Sequence, residues 1–210
     1  MTAARITQTI QPVAIQLGKI TFAWNGLHAS LAELFADIST AARPMSFAIW
    51  HSAPSDRTQR EMLQAALRSI NDTDETLLRL RDETFWLLGT IEDGQCRRRN
   101  RALHVPLTII RETTGEYSIG SYYYDGNPHA QQLKDTPVLE EFRWYVSHLQ
   151  RLACFADELH CAWMYSDHET PFPWPERPQL PHRGQFPSQR KGHRKNDPKS
   201  HERPPRSFPG

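Results

Sequence analysis

Two long segments with a helical apolar period constrain the fold of this chain most. In residues 12–38, and again from Pro137 to about residue 165, apolar side chains recur mostly at steps of three, four or seven. That spacing places them on one face of an α-helix. The apolar residues of the two segments are Ile15, Ile20, Trp24, Leu27, Leu31, Leu34, Phe35 and Ile38, and Val138, Phe142, Tyr145, Leu149, Leu152, Phe155, Ala156, Leu159 and Trp163. The sequence therefore predicts two long amphipathic core helices.

Shorter segments between them complete a predicted helical bundle. Residues 45–51 are predicted to form one or two turns, a helix capped by Ser55 is predicted through residue 70, and another is predicted through residue 91. Three histidines of the long helices lie beside apolar positions, and we interpret them as polar core or surface residues rather than ligands. They are His28, His148 and His160.

The period of the sequence changes after Pro106. Residues 107–111 and 117–124 are rich in β-branched and aromatic side chains, and Thr113-Thr114-Gly115-Glu116 joins them. This pattern predicts a β-hairpin, whose tyrosines are more typical of strand surface than of base stacking. A two-stranded sheet is marginally stable alone, so the hairpin has to pack on the helices. The predicted fold class is mainly α: a helical bundle with a β-hairpin inserted before the last long helix.

The C-terminal part has a different composition. Ten of the sixteen prolines lie in residues 171–210, and residues 170–210 hold 9 Lys/Arg against 3 Asp/Glu. Such a segment buries too little apolar area to offset its chain entropy. We therefore predict a helical domain over residues 1–168 and a disordered tail, rich in Pro, Arg and Lys, over residues 169–210. The tail is either an arm that binds phosphates without sequence preference or an inert solubilising extension.

Cysteine usage and hydropathy indicate the class of protein. Cys96, Cys154 and Cys161 are an odd number at no metal-ligand spacing, so a disulfide framework is not expected. No apolar run approaches the ~18 residues of a membrane span. The N-terminus also lacks the apolar region of a signal peptide. These features favour a soluble cytoplasmic protein without a membrane partner.

Residues 96–104 concentrate the groups that could bind a phosphate and transfer a proton: four arginines, an asparagine and a histidine. On a helix, Asn100 and His104 share a face, and Arg97 and Arg101 lie close to that face. The helical geometry alone thus favours Arg97 or Arg101 as the arginine nearest to His104.

Arg99 does not share the helix face of His104. It is five residues from His104, which on an ideal helix is about 140° around the axis. Arg99 therefore meets His104 only if the helix begins or kinks nearby, for example at Asp93-Gly94, or if a second subunit completes the site.

Arg99-Asn100, followed after three residues by His104, resembles the RNxxxH form of the R-x4-6-H motif of the HEPN superfamily. These all-helical domains include many metal-independent ribonucleases of prokaryotic defence and toxin systems. The resemblance implies that His104 and Arg99 form the catalytic pair, with Asn100 as the polar residue beside it. It also implies a composite site across a homodimer. It covers about residues 12–165 as a helix pattern, but these three residues carry its chemical specificity.

The chemistry that the resemblance implies is attack by the RNA 2′-hydroxyl on the adjacent phosphate. His104 would move the proton, because an ordinary histidine pKa of ~6.5 allows this near neutrality. Arg99 would hold the charge on the phosphate. Arg97, Arg98 and Arg101 are candidate RNA-binding residues. The implied partners are RNA, a second copy of the chain and an antitoxin or regulatory protein, and no metal or other cofactor is expected.

The sequence leaves two other interpretations open. One is a non-catalytic helical module that binds RNA, a nucleotide or a protein, since a fold does not fix a function. In the other, the four arginines of residues 96–104 are a solvated basic face at a helix end, where positive charge suits the helix dipole. A three-residue motif does not decide among these readings by itself.

Overall fold

The computed structural model describes residues 3–39, 41–70, 74–121, 127–133 and 136–181. Its elements are α1 (Ala3–Ile38), α2 (Arg43–Ser52), α3 (Asp56–Ser69), α4 (Glu75–Thr90), a π-helical turn (Ile91–Gln95), α5 (Cys96–His104), β1 (Leu107–Arg111), β2 (Tyr117–Ser121), α6 (Pro128–Leu133) and α7 (Val138–Met164). The predicted fold class, mainly α with a β-hairpin before the last long helix, is confirmed.

The two long helices form the centre of the core. α1 packs along α7, and α3, α4 and α5 each lie against one or both of them. The fully buried side chains that join α1 and α7 include Ile20, Leu27, Leu31, Phe142, Leu149, Leu152 and Leu159. Burial of each such side chain contributes about 1.5–3 kcal/mol. The apolar period of these two segments therefore predicted the core correctly.

α1 is longer than its apolar pattern indicates. The pattern begins at Pro12, whereas the helix begins at Ala3 and contains Pro12 in its interior. Residues 4–11 are exposed or half-buried, so they show no apolar stripe that a sequence analysis could detect. A prediction based on periodicity finds only the part of a helix that faces a core.

The chain does not break between α4 and α5. Asp93 and Gly94, the predicted break, lie in the π-helical turn, and α5 follows as a regular α-helix. A π-helical turn widens the ring of the backbone hydrogen bond and adds one residue. At 100° per residue, the added residue rotates α5 by about 100° relative to the faces of α4.

The hairpin packs through β2 on α1 and α7, and the short helix α6 lies against α5 and β2. β1 and β2 pair antiparallel, from Leu107 opposite Ser121 to Arg111 opposite Tyr117. Gly115 in the connecting turn has φ of +83°, a conformation that favours glycine. The short helix α6 was not predicted from the sequence. The predicted end of the second strand, residues 122–124, lies outside the described residues.

Residues 169–181, which we call the strap, belong with the helical body. They contain no helix or strand, but Trp174 and Leu180 pack against the core and Pro181 is buried. The domain boundary predicted at residue 169 is thus too early. The overall composition of residues 169–210 is that of a disordered tail, and it gives little weight to the few apolar side chains that attach the strap to the core. The rest of the predicted tail, residues 182–210, lies outside the described residues.

Polar contacts fix the strap to two helices. The carbonyl oxygen of Pro181 accepts hydrogen bonds from Trp144 Nε1 and His148 Nε2 of α7, both at 2.7 Å. Arg177 donates through Nε to Glu83 of α4 at 2.8 Å. Backbone recognition of this kind does not depend on a repeating side-chain pattern, so the sequence does not reveal it.

None of the helices in the described ranges combines the length and the apolar character needed to cross a membrane.

Replacing Trp174 tests the docking of the strap. The Trp174 ring is half-buried and has the guanidinium carbon of Arg79 4.9 Å from its centroid. We expect Trp174→Ala to lower the free energy of unfolding by about 1–3 kcal/mol, measured by urea denaturation. Phe172→Ala is the control, because Phe172 is an exposed aromatic residue of the same segment. Equal effects of the two substitutions would contradict a specifically docked strap.

Candidate functional site

The arginines of α5 face different neighbours. Because α5 is a regular helix, successive side chains are turned by about 100°. Arg98 and Arg101 both reach α7, Arg99 reaches α1 and α3, and Arg97 is exposed. The basic cluster of the sequence is therefore divided among three environments.

Arg98 joins α5 to α7 and the strap. Its Nη1 lies 3.0 Å from Nδ1 of His148, and Gln95 Nε2 lies 3.1 Å from the same atom. Both neighbours are donors, so Nδ1 accepts, and the Nε2–H of His148 donates to the Pro181 carbonyl. The guanidinium carbon of Arg98 also lies 4.1 Å from the ring centroid of Trp144, a cation–π contact. Arg98 and His148 thus form a structural pair covered by the strap.

Arg101 joins α5 to the buried polar end of α7. It donates through Nη1 to Tyr145 Oη at 3.0 Å, and the same nitrogen lies 3.9 Å from Glu141 Oε1. Its Nη2 donates to Gln132 of α6. Tyr145 in turn donates to Glu141 at 2.9 Å. Burial, and secondly the charge of Glu141, raise the pKa of Tyr145 well above its ordinary value, so this hydroxyl stays protonated.

Arg99 faces a tryptophan and an aspartate rather than the histidine of its motif. Its guanidinium carbon lies 5.6 Å from the Trp24 ring centroid, and its Nη2 lies 3.9 Å from Asp56 Oδ2. The same Asp56 oxygen accepts from Trp24 Nε1 at 2.8 Å. Through Nη1, Arg99 donates to Asn100 Oδ1 at 2.9 Å. The Arg99 guanidinium therefore holds the carboxamide of Asn100 by its oxygen.

A buried arginine of α3, Arg60, contacts polar residues of α1 and of the π-helical turn. Arg60, only 3% exposed, donates through Nε to Glu92 Oε1 at 2.7 Å. Its Nη1 lies 3.3 Å from His28 Nε2, and His28 Nδ1 lies 3.2 Å from Gln59 Oε1. Since arginine can only donate, Nε2 accepts and the Nδ1–H donates to Gln59. This arrangement requires a neutral His28.

The cysteine at the start of α5 is not set up as a nucleophile. Cys96 is half-buried, and burial raises the pKa of its thiol above the ordinary value. The thiolate, rather than the thiol, is the nucleophile and metal ligand. Cys96 is therefore best described as a small apolar residue that packs against the core.

Three polar residues of α5 remain accessible on one side. Arg97 and His104 are exposed and Asn100 is half-buried. Their spacing of three and four residues places them on a single face of the helix. We call these three residues the α5 stripe. His104 makes no hydrogen bond or ion pair with any residue in the described ranges.

The structure does not bring Arg99 and His104 together within one chain. Both residues lie in α5, which is a regular helix from Cys96 to His104, so the two side chains remain about 140° apart around the axis. Arg98 and Arg101, two of the predicted RNA-binding residues, are paired inside the fold. Arg97, the third, is the arginine that shares an accessible face with His104. The roles assigned to all of these residues stay predictions.

Several residues around α5 were missed because they are distant in sequence. The partners of Arg98, Arg99 and Arg101 on α3 and α7 come from positions 43 to 50 residues away. The sequence does give a hint for two of the missed residues, Arg60 and Glu141. Each is a charged residue three positions from a buried apolar residue on the same helix face. A charged side chain in such a position is rarely buried without a partner, so a buried polar contact could have been predicted for both.

Neither a metal-binding group nor a similar known protein identifies the function of the site. The described part of the chain contains no group of three or more His, Cys, Asp and Glu side chains placed to hold a metal ion. A scan against protein-family models, a search of curated proteins and a search of solved structures each found no match.

The neutral state of His28 makes the stability of the fold depend on pH. Burial lowers the pKa of His28 below 6.5, with Asp56 opposing and Arg60 adding to this effect. The unfolded chain then binds the proton first, so stability is lost as pH falls below about 6.5 toward the lower pKa of the folded state. A pKa that is one unit lower in the folded than in the unfolded chain corresponds to about 1.4 kcal/mol of unfolding free energy.

We expect the unfolding free energy to fall less between about pH 7.5 and pH 5.5 in His28→Gln than in the wild type, by about 1 kcal/mol. Urea denaturation at both pH values is the measurement. The control His51→Gln makes the same side-chain change at an exposed histidine of α2. An NMR titration with His28 at or above its ordinary pKa would contradict the explanation.

Proposed function

We propose that this protein is a metal-independent endoribonuclease of the HEPN type, acting as a toxin or defence protein. The observation that supports the proposal is the α5 stripe, in which an exposed imidazole with no partner among the described residues, a half-buried carboxamide and an exposed guanidinium share one face of a short helix. Imidazole and guanidinium are the groups that cleavage of RNA through its 2′-hydroxyl needs when no metal participates.

In the proposed reaction the RNA 2′-oxygen attacks the adjacent phosphorus and the bond to the 5′-oxygen breaks. His104 takes the proton of the 2′-hydroxyl, and the leaving 5′-oxygen takes a proton from water. The products are a 2′,3′-cyclic phosphate and a 5′-hydroxyl. Arg97 holds the phosphate oxygens on which negative charge increases, and Asn100 orients the substrate beside His104.

Arg99 has a positioning role in this proposal. Its bond to Asn100 Oδ1 fixes the carboxamide, and its neighbours Trp24 and Asp56 fix the guanidinium. The proposal differs here from the HEPN resemblance, in which the arginine at this position contacts the phosphate. It assigns that contact to Arg97 because Arg97 shares the face of His104.

The proposed substrate is RNA, and the proposed setting is the cytoplasm. A second copy of the chain and a regulatory protein such as an antitoxin are the proposed protein partners. The α5 stripe is complete within one chain, so the proposed chemistry does not require residues from two subunits.

A non-catalytic binding module is the second candidate function. It is favoured by the pairing of Arg98, Arg99 and Arg101 within the fold, which gives three of the four arginines a structural reason to be present. Such a module would use the α5 stripe to bind RNA, a nucleotide or a protein without cleaving it.

Cleavage of RNA in EDTA tests the proposed activity. The purified full chain is incubated with mixed-sequence RNA, and product ends are examined for the cyclic phosphate. We expect His104→Ala to slow cleavage about 10²–10⁴-fold and Arg97→Ala about 10²–10³-fold. Arg68→Ala is the matched control, since it removes an exposed arginine from α3 and should leave the rate unchanged.

Absence of cleavage by the wild type, or cleavage that survives His104→Ala, would exclude the ribonuclease. Binding of RNA by the wild type that is weakened by Arg97→Ala, without any cleavage, would instead support the binding module. Toxicity on expression that His104→Ala relieves would support the toxin or defence role.

A comparison of Arg97 and Arg99 separates phosphate contact from positioning. We expect Arg99→Ala to slow cleavage and also to lower the unfolding free energy by about 1–3 kcal/mol, because it removes the donor to the Asn100 carboxamide oxygen and the positive charge beside Asp56. Arg97→Ala should slow cleavage with a stability change within about 0.5 kcal/mol. Loss of cleavage in Arg99→Ala at unchanged stability, with no effect of Arg97→Ala, would return the phosphate contact to Arg99.

A further inference from the structure

Two helix faces form the groove that holds the strap. On each of α4 and α7, three side chains at successive steps of four and three residues contact the strap, and residues at these steps share one helix face. They are Arg79, Glu83 and Trp86 of α4 and Trp144, His148 and Arg151 of α7. We call the space between these two faces the strap groove. The groove is part of the helical bundle, because α4 and α7 pack directly on each other.

The α7 side of the strap groove recognises backbone carbonyls. Trp144 Nε1 and His148 Nε2 both donate to the Pro181 carbonyl oxygen. Arg151 donates to the carbonyl oxygen of Gln179, two residues earlier. Within the described residues, every hydrogen bond of the strap uses a carbonyl oxygen or an arginine side chain, and none uses a backbone N–H. Because α7 offers donors here, the groove suits a chain that presents carbonyls and needs no acceptor for its backbone.

Proline gives the strap such a backbone. Residues 171–181 contain five prolines, at positions 171, 173, 175, 178 and 181. A proline has no N–H and fixes φ at about −65°, and the residue before it is biased toward an extended conformation. The segment is therefore stiff before it docks, so binding orders it at little further cost in conformational entropy. Proline-rich segments are recognised in the same way by other grooves that are lined with aromatic side chains.

Three side chains of the strap add specificity. Trp174 and Leu180 pack against the core. Between them, Arg177 donates to Glu83 at 2.8 Å, and its guanidinium carbon lies 5.3 Å from the ring centroid of Trp86. The ion pair is partly exposed, so it contributes more to register than to affinity. The groove thus selects an aromatic residue, an arginine three positions later and a leucine three positions after that.

The strap does not fill the groove completely. An open pocket remains beside Pro178, lined by Arg151 and Phe155 of α7 and by Glu176 of the strap. A segment with a larger side chain near this position would bury more of the α7 surface than the strap does. Another segment of the same chemistry can therefore fit the groove at least as well.

We propose that the strap groove is a binding site for proline-rich segments, that the strap is its intramolecular ligand, and that a proline-rich segment of a partner protein takes the strap's place. The partner segment carries an aromatic residue, an arginine and a leucine-proline pair at the spacing of Trp174, Arg177 and Leu180-Pro181. The inference goes beyond the proposed function, because neither RNA nor the α5 stripe participates in it.

The tether of the strap sets the concentration that a partner needs. A segment joined to its site by a short connection has an effective concentration on the order of millimolar. A free segment with the same contacts therefore displaces half of the strap when its own concentration reaches that value. Substitutions that weaken the docking of the strap lower the concentration that is needed.

Displacement in the wild type is the first test. The probe is a synthetic peptide with the sequence of residues 171–181, added to the full chain labelled with nitrogen-15. We expect the indole N–H resonance of Trp174 to move toward the position that it has in the free peptide, with half of the change at about millimolar peptide. A scrambled peptide of the same composition is the control and should leave the resonance in place.

A chain with a weakened strap provides the second test. We expect full-length Trp174→Ala/Leu180→Ala to bind a fluorescent version of the peptide at least about tenfold more tightly than the wild type, measured by fluorescence anisotropy. Adding Trp144→Phe should weaken this binding about 3–10-fold, because it removes the Nε1–H donor and keeps an aromatic ring. Trp163→Phe is the matched control, since Trp163 is a half-buried tryptophan of α7 outside the strap groove, and it should leave the affinity unchanged.

Four results would overturn the proposal. The first is a Trp174 resonance that does not move when the peptide is well above its expected half-point. The second is equal binding of the scrambled peptide, and the third is peptide binding that Trp144→Phe does not weaken. The fourth is dimerisation of the wild type that the peptide reverses, which would assign the groove to the strap of a second copy. None of these measurements involves RNA cleavage, so their failure is distinct from a failure of the proposed ribonuclease.

Discussion

The packing of α1 along α7 is the interaction on which the rest of the structure depends. These two helices bury most of the large apolar side chains, and α2, α3, α4 and α5 each lie against one or both of them. α5 contributes little apolar surface of its own, since Ala102 is its only fully buried residue in the described structure and Leu103 is exposed. Its position is therefore set largely by polar contacts to the α1–α7 pair.

The arginines of α5 provide those polar contacts. Arg98 and Arg101 reach α7 through His148 and Tyr145, and Arg99 reaches α1 through Trp24. A guanidinium that leaves water needs hydrogen-bonding partners, and a cation over an aromatic ring gains a further favourable interaction. One basic segment thus performs two tasks: three arginines attach the helix to the core, and the α5 stripe stays in contact with solvent.

The α5 stripe and the outer face of α1, where Ile15 and Phe22 are exposed, are two accessible surfaces of different character. The α5 stripe is polar and small, whereas the outer face of α1 is apolar and almost uncharged. The two surfaces therefore present different chemistry to solvent.

The sequence by itself determined the helical class, the two core helices and the position of the hairpin, because these depend on local period and turn chemistry. It also located the polar stretch that α5 carries. It did not reveal the N-terminal part of α1, the docked strap or α6, whose stabilising contacts do not repeat along the chain. Only the tertiary structure decided which side chains of α5 meet. The extra residue of the π-helical turn rotates α5 by about 100°. In this orientation Arg98, Arg99 and Arg101 contact residues of α1, α3 and α7, whereas Arg97 and His104 are exposed.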